Sequence, residues 1–418
     1  MPTAADKLGP LFSTLLGATP GLSIVFWDGS EMGPPDARAT VTFRTADALR
    51  RIAYAPGDLG FARAYVLGEV VITGDVHHAV GVLSSASPQL AGDWRTWAAL
   101  ARAVVSLRIV GRPLPPPPEE ARLGGRLHSP SRDAAAIAHH YDVSNEFYEL
   151  LLGPSMTYSC ARFTDAGRSL EEAQAAKYEL VCRKLGLAPG MRLLDVGCGW
   201  GGMVMHAAQA HDVSCVGVTI SREQHDLAVK RVAEAGLADR VDVRLQDYRD
   251  LVGERFDAIS SIGMAEHVGR ASLGGYLGAL AALLRPTGRL LNHAISTPNG
   301  AAYDRRSFIA RYVFPDGELP DVAEVVTGME SHGLDVRDVE GLREHYALTL
   351  RRWSANLEES WDEACRLVGE GRARVWRLYL AGAAVSFEKA DIGIHQVLGV
   401  KLADDGSSAM PLTRASFE

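Results

Sequence analysis

The stretch that most constrains this chain is Leu193-Leu194-Asp195-Val196-Gly197-Cys198-Gly199-Trp200-Gly201-Gly202. An apolar run ends in an acid and a glycine-dense turn, and residues 203–210 then have helical character. This order predicts a strand, a tight turn and a helix. Glycines admit positive φ and let a ligand approach the backbone closely. The following helix N-terminus presents N–H groups without intrahelical partners. The segment is thus a candidate cradle for a nucleotide-like ligand.

The surroundings extend the pattern. Strand-like segments at 213–219, 241–245, 256–262 and 288–295 alternate with helical ones. Ser221 with Gln224 three residues later is a capping-box signature for one of these helices. Another helix, at 276–284, is expected to stop at Pro286. Segments at 334–339 and 392–400 and a long helical stretch over 345–390 complete the unit. Such alternation predicts an α/β fold with a doubly wound, mostly parallel sheet. Ligands of these sheets bind at the carboxyl ends of the strands. Residues 298–333 interrupt the alternation and read as a lid or substrate wall carrying Tyr303, Phe308, Tyr312 and Phe314.

The N-terminal part reads differently. Residues 1–85 suggest a small α+β unit, with strands at 22–27 and 39–43, a hairpin-type turn at Asp28-Gly29 and a helix at 46–54. It carries no visible catalytic constellation, as suits a structural or docking module. Between 93 and 112, Trp94, Trp97, Leu100, Val104 and Val105 make a helix-like apolar run, and over 95–132 seven arginines face only Glu119 and Glu120. A basic helix with Trp and Leu suits an anionic lipid surface. It equally suits a core helix with a solvated arginine edge. The run Pro113-Leu114-Pro115-Pro116-Pro117-Pro118 reads as a stiff spacer. The expected organisation is therefore a docking domain at 1–110, a linker at 111–130 and a catalytic domain at 131–418.

Composition sets outer bounds. With 418 residues there is room for two domains. A formal net charge of -8 argues against bulk attraction to nucleic acid. The five cysteines form no CxxC pair and no zinc spacing, which suggests a reducing, cytoplasmic setting and no metal site. No apolar run approaches the roughly 20 residues of a membrane span, so any membrane contact is expected to be peripheral.

Two ligand types compete for the glycine turn. A dinucleotide site usually reads GxGxxG, with an acid about 20 residues on for the ribose. Here the turn is GxGxGG, and the next strand ends in Val218, Thr219, Ile220 and Ser221 without an acid. S-adenosylmethionine fits better. Turn N–H groups meet its carboxylate, Asp195 orients nearby groups, and Asp247 is placed to meet the adenine edge.

Five ordered blocks carry a family resemblance. Residues 193–201 resemble the S-adenosylmethionine loop of cyclopropane-fatty-acid synthases and mycolic-acid methyltransferases. Further matches are His140 to Asn145 with Met156 to Ala161, Gly217 to Gln224, Leu245 to Asp250, and Ser261 to Gly269. The likeness is strong over about 130–400. Residues 1–110 are less specifically similar to the N-terminal domain of the phospholipid-acting members. One departure is Ala265, where the family often has an aromatic residue.

The resemblance implies a Rossmann-like, seven-stranded methyltransferase domain. The reaction it implies is methyl transfer to a cis double bond of acyl chains in membrane phospholipids. An alkene is a weak nucleophile, so positioning dominates catalysis. The resulting carbocation must be kept from water, and aromatic faces such as Tyr303, Phe308, Tyr312 and Phe314 can stabilise it. Removing a proton from the transferred methyl closes a cyclopropane ring. The resemblance implies bound bicarbonate as the base, cradled by Cys160, Glu266, His293, Ile295 (through its backbone) and Tyr346. The cofactor residues it implies are Tyr158, Ser159, Asp195, Gly197, Gly199, Gly201, Thr219, Gln224, Asp247 and Tyr248. Alternative outcomes are a 10-methylene chain passed to a reductase partner, a small-molecule methyltransferase, or a non-catalytic lipid-binding scaffold. The family also suggests a homodimer at the inner face of the cell membrane.

Overall fold

A computed structural model describes residues 2–16, 21–90, 111–121, 144–300 and 304–417, with Trp94, Ala98, Arg102, Val105 and Arg132. The chain forms two compact units. The first comprises Met1–Arg122, Asp304–Pro315 and Ser360–Val385; the second comprises Leu123–Tyr303, Asp316–Glu359 and Ser386–Glu418.

In the first unit, strands β1 (Leu22–Val25), β2 (Glu31–Met32), β3 (Ala39–Phe43) and β4 (Val70–Gly74) form a sheet in the order β2-β1-β3-β4. Alternation sets its buried face: Ala39, Val41 and Phe43 point inward while Thr40 and Thr42 are half-buried. Phe12, Phe26 and Phe43 pack there with ring centroids 5.8–5.9 Å apart. The hairpin expected at Asp28-Gly29 is present, with Gly29 at φ 81.

This unit differs from the contiguous domain expected at 1–110. The proline-rich run is held inside it rather than starting a free linker. Arg51 donates to the Pro115 carbonyl, Pro117 is buried, and Arg63 forms two 2.8 Å bonds to the buried Glu120. Residues 304–315 also belong here. The Tyr312 hydroxyl donates to Glu120, and the Ala121 N–H donates to the Arg311 carbonyl. The helical stretch expected at 345–390 is three helices, Arg343–Glu359, Trp361–Val368 and Glu370–Glu388. A glycine at φ 80, Gly369, separates the last two, and most of both lies in the first unit.

The second unit holds the predicted sheet. Its strands are β5 (Arg192–Val196), β6 (Ser214–Thr219), β7 (Val241–Leu245), β8 (Phe256–Ile262), β9 (Leu284–Ser296), β10 (Leu334–Gly341) and β11 (Gly393–Lys401). The order is β10-β11-β9-β8-β5-β6-β7, with β11 antiparallel to both neighbours and the five strands from β9 to β7 parallel. The α/β expectation therefore holds. Central strand β5 is buried on both faces, which is why it reads as an unbroken apolar run. Leu193 packs into one apolar cluster, and Leu194 and Val196 pack into the other. Strand β9 starts at Leu284, earlier than expected, so Pro286 is its third residue rather than lying between elements. No helix among the described residues is long and apolar enough to cross a membrane.

Most of the basic segment 95–132, residues 140–143 of the first matching block and Tyr303 lie outside the described residues.

Candidate active site

A cavity opens at the carboxyl ends of β5, β6, β7 and β8, as a parallel sheet dictates. Its floor is the glycine turn. Gly197 sits at φ 75, and a Cβ there would lie 2.4 Å from Met264 Sδ, so glycine is required twice over. The Gly197 and Cys198 N–H groups both donate to the Val218 carbonyl, at 2.9 and 3.0 Å, which pins the turn to β6. Gly201, at φ 82, is the residue before helix Gly202–His211.

Of the ten expected cofactor residues, Tyr158, Ser159, Asp195, Gly197, Gly199, Thr219, Gln224, Asp247 and Tyr248 line this cavity. Gly201 is not in the lining; it supplies the bend, and the adjacent Gly202 meets the cavity instead. Asp195 is 3% exposed and accepts a 2.7 Å bond from Ser260 Oγ. Burial pushes its pKa up to about 6, against the opposing pull of Ser260 and Lys177. Thr219 Oγ1 donates to Gln224 Oε1 at 2.9 Å, and Ser221 caps helix Arg222–Glu234 as its spacing predicts. Burial acts to raise Asp247, but the Arg249 guanidinium and N–H outweigh it and hold the carboxyl below its ordinary value.

The five residues expected to handle a proton lie outside that lining, and two of them are next to it in sequence: Ser159 precedes Cys160, and Glu266 precedes His267. A chain of bonds connects four of them. Glu266 Oε1 accepts the Ile295 N–H at 2.7 Å, just past the end of β8. Ile295 pairs with Ile394 across β9 and β11, and the Ile394 carbonyl accepts from Leu342. The Leu342 carbonyl then accepts from the Tyr346 N–H at 3.1 Å and from Cys160 Sγ at 3.7 Å. His293 stands two residues before Ile295 on β9.

Their electrostatics are specific. Burial pushes the Cys160 thiol far up, so it is a neutral donor and not a thiolate. Burial raises Glu266 to about 7, with the Ile295 N–H opposing. Burial keeps His293 neutral, and Lys177, Lys184 and His395 add to that effect. With the Gln396 amide donating to His293 Nδ1 at 3.3 Å, the imidazole proton sits on Nε2. Glu266 Oε2 and His293 Nε2 are both buried without a hydrogen-bond partner. Buried polar atoms left so are costly, and a small species with donor and acceptor oxygens fits that need.

Of the aromatic residues expected to face a cation, three are described, and all belong to the first unit: Phe308 and Tyr312 pack tilted with centroids 5.4 Å apart, and Phe314 meets Tyr379 edge-on at 5.7 Å. The cavity gains Lys177 and Tyr178, which lie in none of the motif blocks, and Trp200, Met264 and His267, which lie in those blocks without an expected cofactor role. The i, i+3, i+4 spacing of Gln174, Lys177 and Tyr178 on helix Leu170–Leu185 is the signal that marks two of them. Among the described residues one group offers metal-ligand chemistry, Cys182, His206 and His211. It lies off the cavity lining, and Glu179 already bridges both imidazoles.

Comparison with known proteins agrees with this geometry. Residues 128–397 match the family model described as mycolic acid cyclopropane synthetase. A probable fatty acid methyltransferase of Mycobacterium tuberculosis is 45% identical over 407 residues, covering 94% of this chain and 93% of its own. A cyclopropane-fatty-acyl-phospholipid synthase of Escherichia coli is 38% identical over 280 residues, covering 67% of this chain and 71% of its own. The crystal structure of the mycolic acid cyclopropane synthase CmaA1, complexed with SAH and CTAB, superposes with a TM-score of 0.61 at 35% identity, covering 64% of this chain and 98% of that one. The chain belongs to the mycolic acid cyclopropane synthetase family and has the S-adenosylmethionine-dependent methyltransferase fold.

Proposed function

We propose that this enzyme transfers the methyl group of S-adenosylmethionine to the cis double bond of unsaturated acyl chains in membrane phospholipids, giving a cyclopropane ring. One observation carries the reading. Glu266 Oε2 and His293 Nε2 are buried, unpartnered polar atoms beside a cavity built on the glycine turn. When bound, S-adenosylmethionine supplies the methyl group, and bicarbonate supplies a base for the proton lost in ring closure. Tyr158, Ser159, Asp195, Gly197, Gly199, Thr219, Gln224, Asp247 and Tyr248 hold the methyl donor. Gly201 shapes the turn from behind. His293 offers a neutral donor to an anion and Cys160 a neutral thiol that would turn to it from the Leu342 carbonyl, while Glu266, held by the Ile295 N–H, fixes its orientation from the strand edge. Tyr346, on helix Arg343–Glu359, closes the cradle. Neutral donors in a dry pocket bind an anion without themselves competing for the proton.

The first unit and the basic segment 95–132 act in this reading as the lipid-docking part, which makes membrane association peripheral. A 10-methylene product, requiring a reductase afterwards, differs only in which proton leaves. The test is incubation with oleoyl phospholipid vesicles and methyl-labelled S-adenosylmethionine, followed by mass spectrometry and NMR of the acyl chains. A cyclopropane ring supports the proposal, a methylene branch replaces it with the variant, and an unmodified acyl pool refutes both.

A further inference from the structure

Lys177 is the group at the cavity wall that neither the motifs nor the reaction chemistry has used. It is 1% exposed on helix Leu170–Leu185, yet it lines the cavity. Among the described residues its ammonium has one hydrogen-bond acceptor, Ser159 Oγ at 3.0 Å. The Tyr178 ring, 3.8 Å away, and the neighbouring Cys160 and Asp195 also favour its charge. A buried ammonium is costly unless anions or further acceptors meet it. The other lysine or arginine in the lining, Arg249, is already engaged in bonds to Asp247.

The same helix face holds the loop that carries Ser159. Gln174 Nε2 donates to the Ser159 carbonyl at 2.9 Å, and the Tyr178 hydroxyl bonds Thr157 Oγ1 at 2.7 Å. Residues 157–159 thus hang from positions i, i+3 and i+4 of one helix. The ammonium occupies a lone pair of Ser159 Oγ, so the serine proton must point away from it. The hydroxyl therefore becomes a fixed donor.

We propose that Lys177 is a positioning residue for the amino-acid end of S-adenosylmethionine: it orients the Ser159 hydroxyl as a donor to the α-carboxylate and supplies the positive charge which that carboxylate faces. The proposal rests on the reading of Ser159 and the glycine turn as the methyl-donor site. The charged and titratable groups around Lys177 are Asp195, Cys160, Tyr178, His206 and His293. Burial brings Lys177 down to about 7, against Cys160 and Asp195. Carboxylate binding favours the protonated form, so affinity falls as pH rises above about 7.

The experiment is calorimetric titration of the full chain with two probes, S-adenosylhomocysteine and 5′-methylthioadenosine, which lacks the amino-acid tail. Lys177→Met is expected to weaken S-adenosylhomocysteine by about tenfold or more, the loss of a charge-assisted bond, and to leave 5′-methylthioadenosine within about twofold. Ser159→Ala should show the same selectivity, and the double variant should lose no more than the worse single one, because the two act as one unit. Wild-type affinity for S-adenosylhomocysteine should decline above pH 7, and that decline should vanish in Lys177→Met. Equal losses on both probes, no loss, or an unchanged pH profile overturns the role of Lys177. If the wild type binds neither probe, the cofactor reading itself fails along with it.

Discussion

Replacing Glu266 by glutamine tests how the burial of one carboxyl shapes both stability and turnover. In the folded protein its pKa stands near 7, against an ordinary 4.5, because burial disfavours the charge more than the Ile295 N–H favours it. Below about pH 4.5 the group is neutral both folded and unfolded, and burial of the charge costs nothing. Between about 4.5 and 7 the unfolded chain ionises while the folded one keeps its proton, so stability falls with rising pH. At about 1.4 kcal/mol per pH unit, the accumulated loss reaches about 3 kcal/mol. Above about 7 both states are ionised and the loss is constant. Glutamine retains the acceptor for the Ile295 N–H but cannot ionise. The stability difference, variant minus wild type, should therefore rise by most of that 3 kcal/mol between pH 5 and pH 8. Urea unfolding of both proteins at unit pH steps measures it, and common acid effects cancel in the difference. A difference that stays flat, or falls, would refute the burial argument. Under the proposed function the same variant binds S-adenosylhomocysteine normally and loses turnover.

Other outcomes follow from single contacts. In Gly202→Ala the new Cβ would lie 2.2 Å from the Tyr178 hydroxyl; relieving it displaces Tyr178 from Thr157. A loss of about 1–3 kcal/mol in stability, seen in thermal melts, should accompany weaker S-adenosylhomocysteine binding. Native protein at pH 8 should release one thiol of five to a disulfide reagent, from the half-buried Cys365, because Cys160, Cys182, Cys198 and Cys215 are buried with raised pKa values; all five should react after denaturation, and rapid reaction of more than one before it would contradict the burial. Gln396→Leu removes the donor to His293 Nδ1 and should lower turnover by tenfold or so while leaving S-adenosylhomocysteine affinity unchanged, a split that steady-state kinetics and titration would show. Binding to anionic phospholipid vesicles in a sedimentation assay should weaken as ionic strength passes about 0.15 M, where screening acts within about 8 Å; salt-independent binding would remove the arginine-rich segment from the docking role.

Much of the second unit is legible because its strands carry two clear patterns. The inner strand Phe256–Ile262, largely buried, has the bounds of its mainly apolar run, and the edge strand Val241–Leu245 has the bounds of its apolar-charged alternation. The glycine turn is legible for a related reason: positive φ at Gly197, Gly199 and Gly201 leaves a chemical trace in the sequence. What local pattern does not show is which surface an apolar face meets. Tyr312 and Phe308 have the composition of a substrate wall, yet they pack within the first unit. The helix Glu370–Glu388 looks continuous with its predecessors, yet Trp376 and Tyr379 pack in that unit too. Lys177 is hidden for the opposite reason. A lysine in a charge-rich helix reads as solvent-facing, yet this one is buried with its ammonium on Ser159 and the Tyr178 ring.

The division of the chain between units sets an order of assembly. The first unit draws on Met1–Arg122 but also on Asp304–Pro315 and Ser360–Val385. During synthesis its first 122 residues emerge early, and their final partners arrive only after most of the methyltransferase sheet has been made. The early segment must therefore wait, incomplete, while β5 to β9 leave the ribosome. Its four-stranded sheet can pair in that interval, but Glu120 has no Tyr312 to meet, and Tyr65 has no Arg374 or Arg377. The usual head start of an N-terminal domain is largely lost in this chain: the last segment of the first unit is made only just before β11, Gly393–Lys401, which the second unit's sheet still awaits.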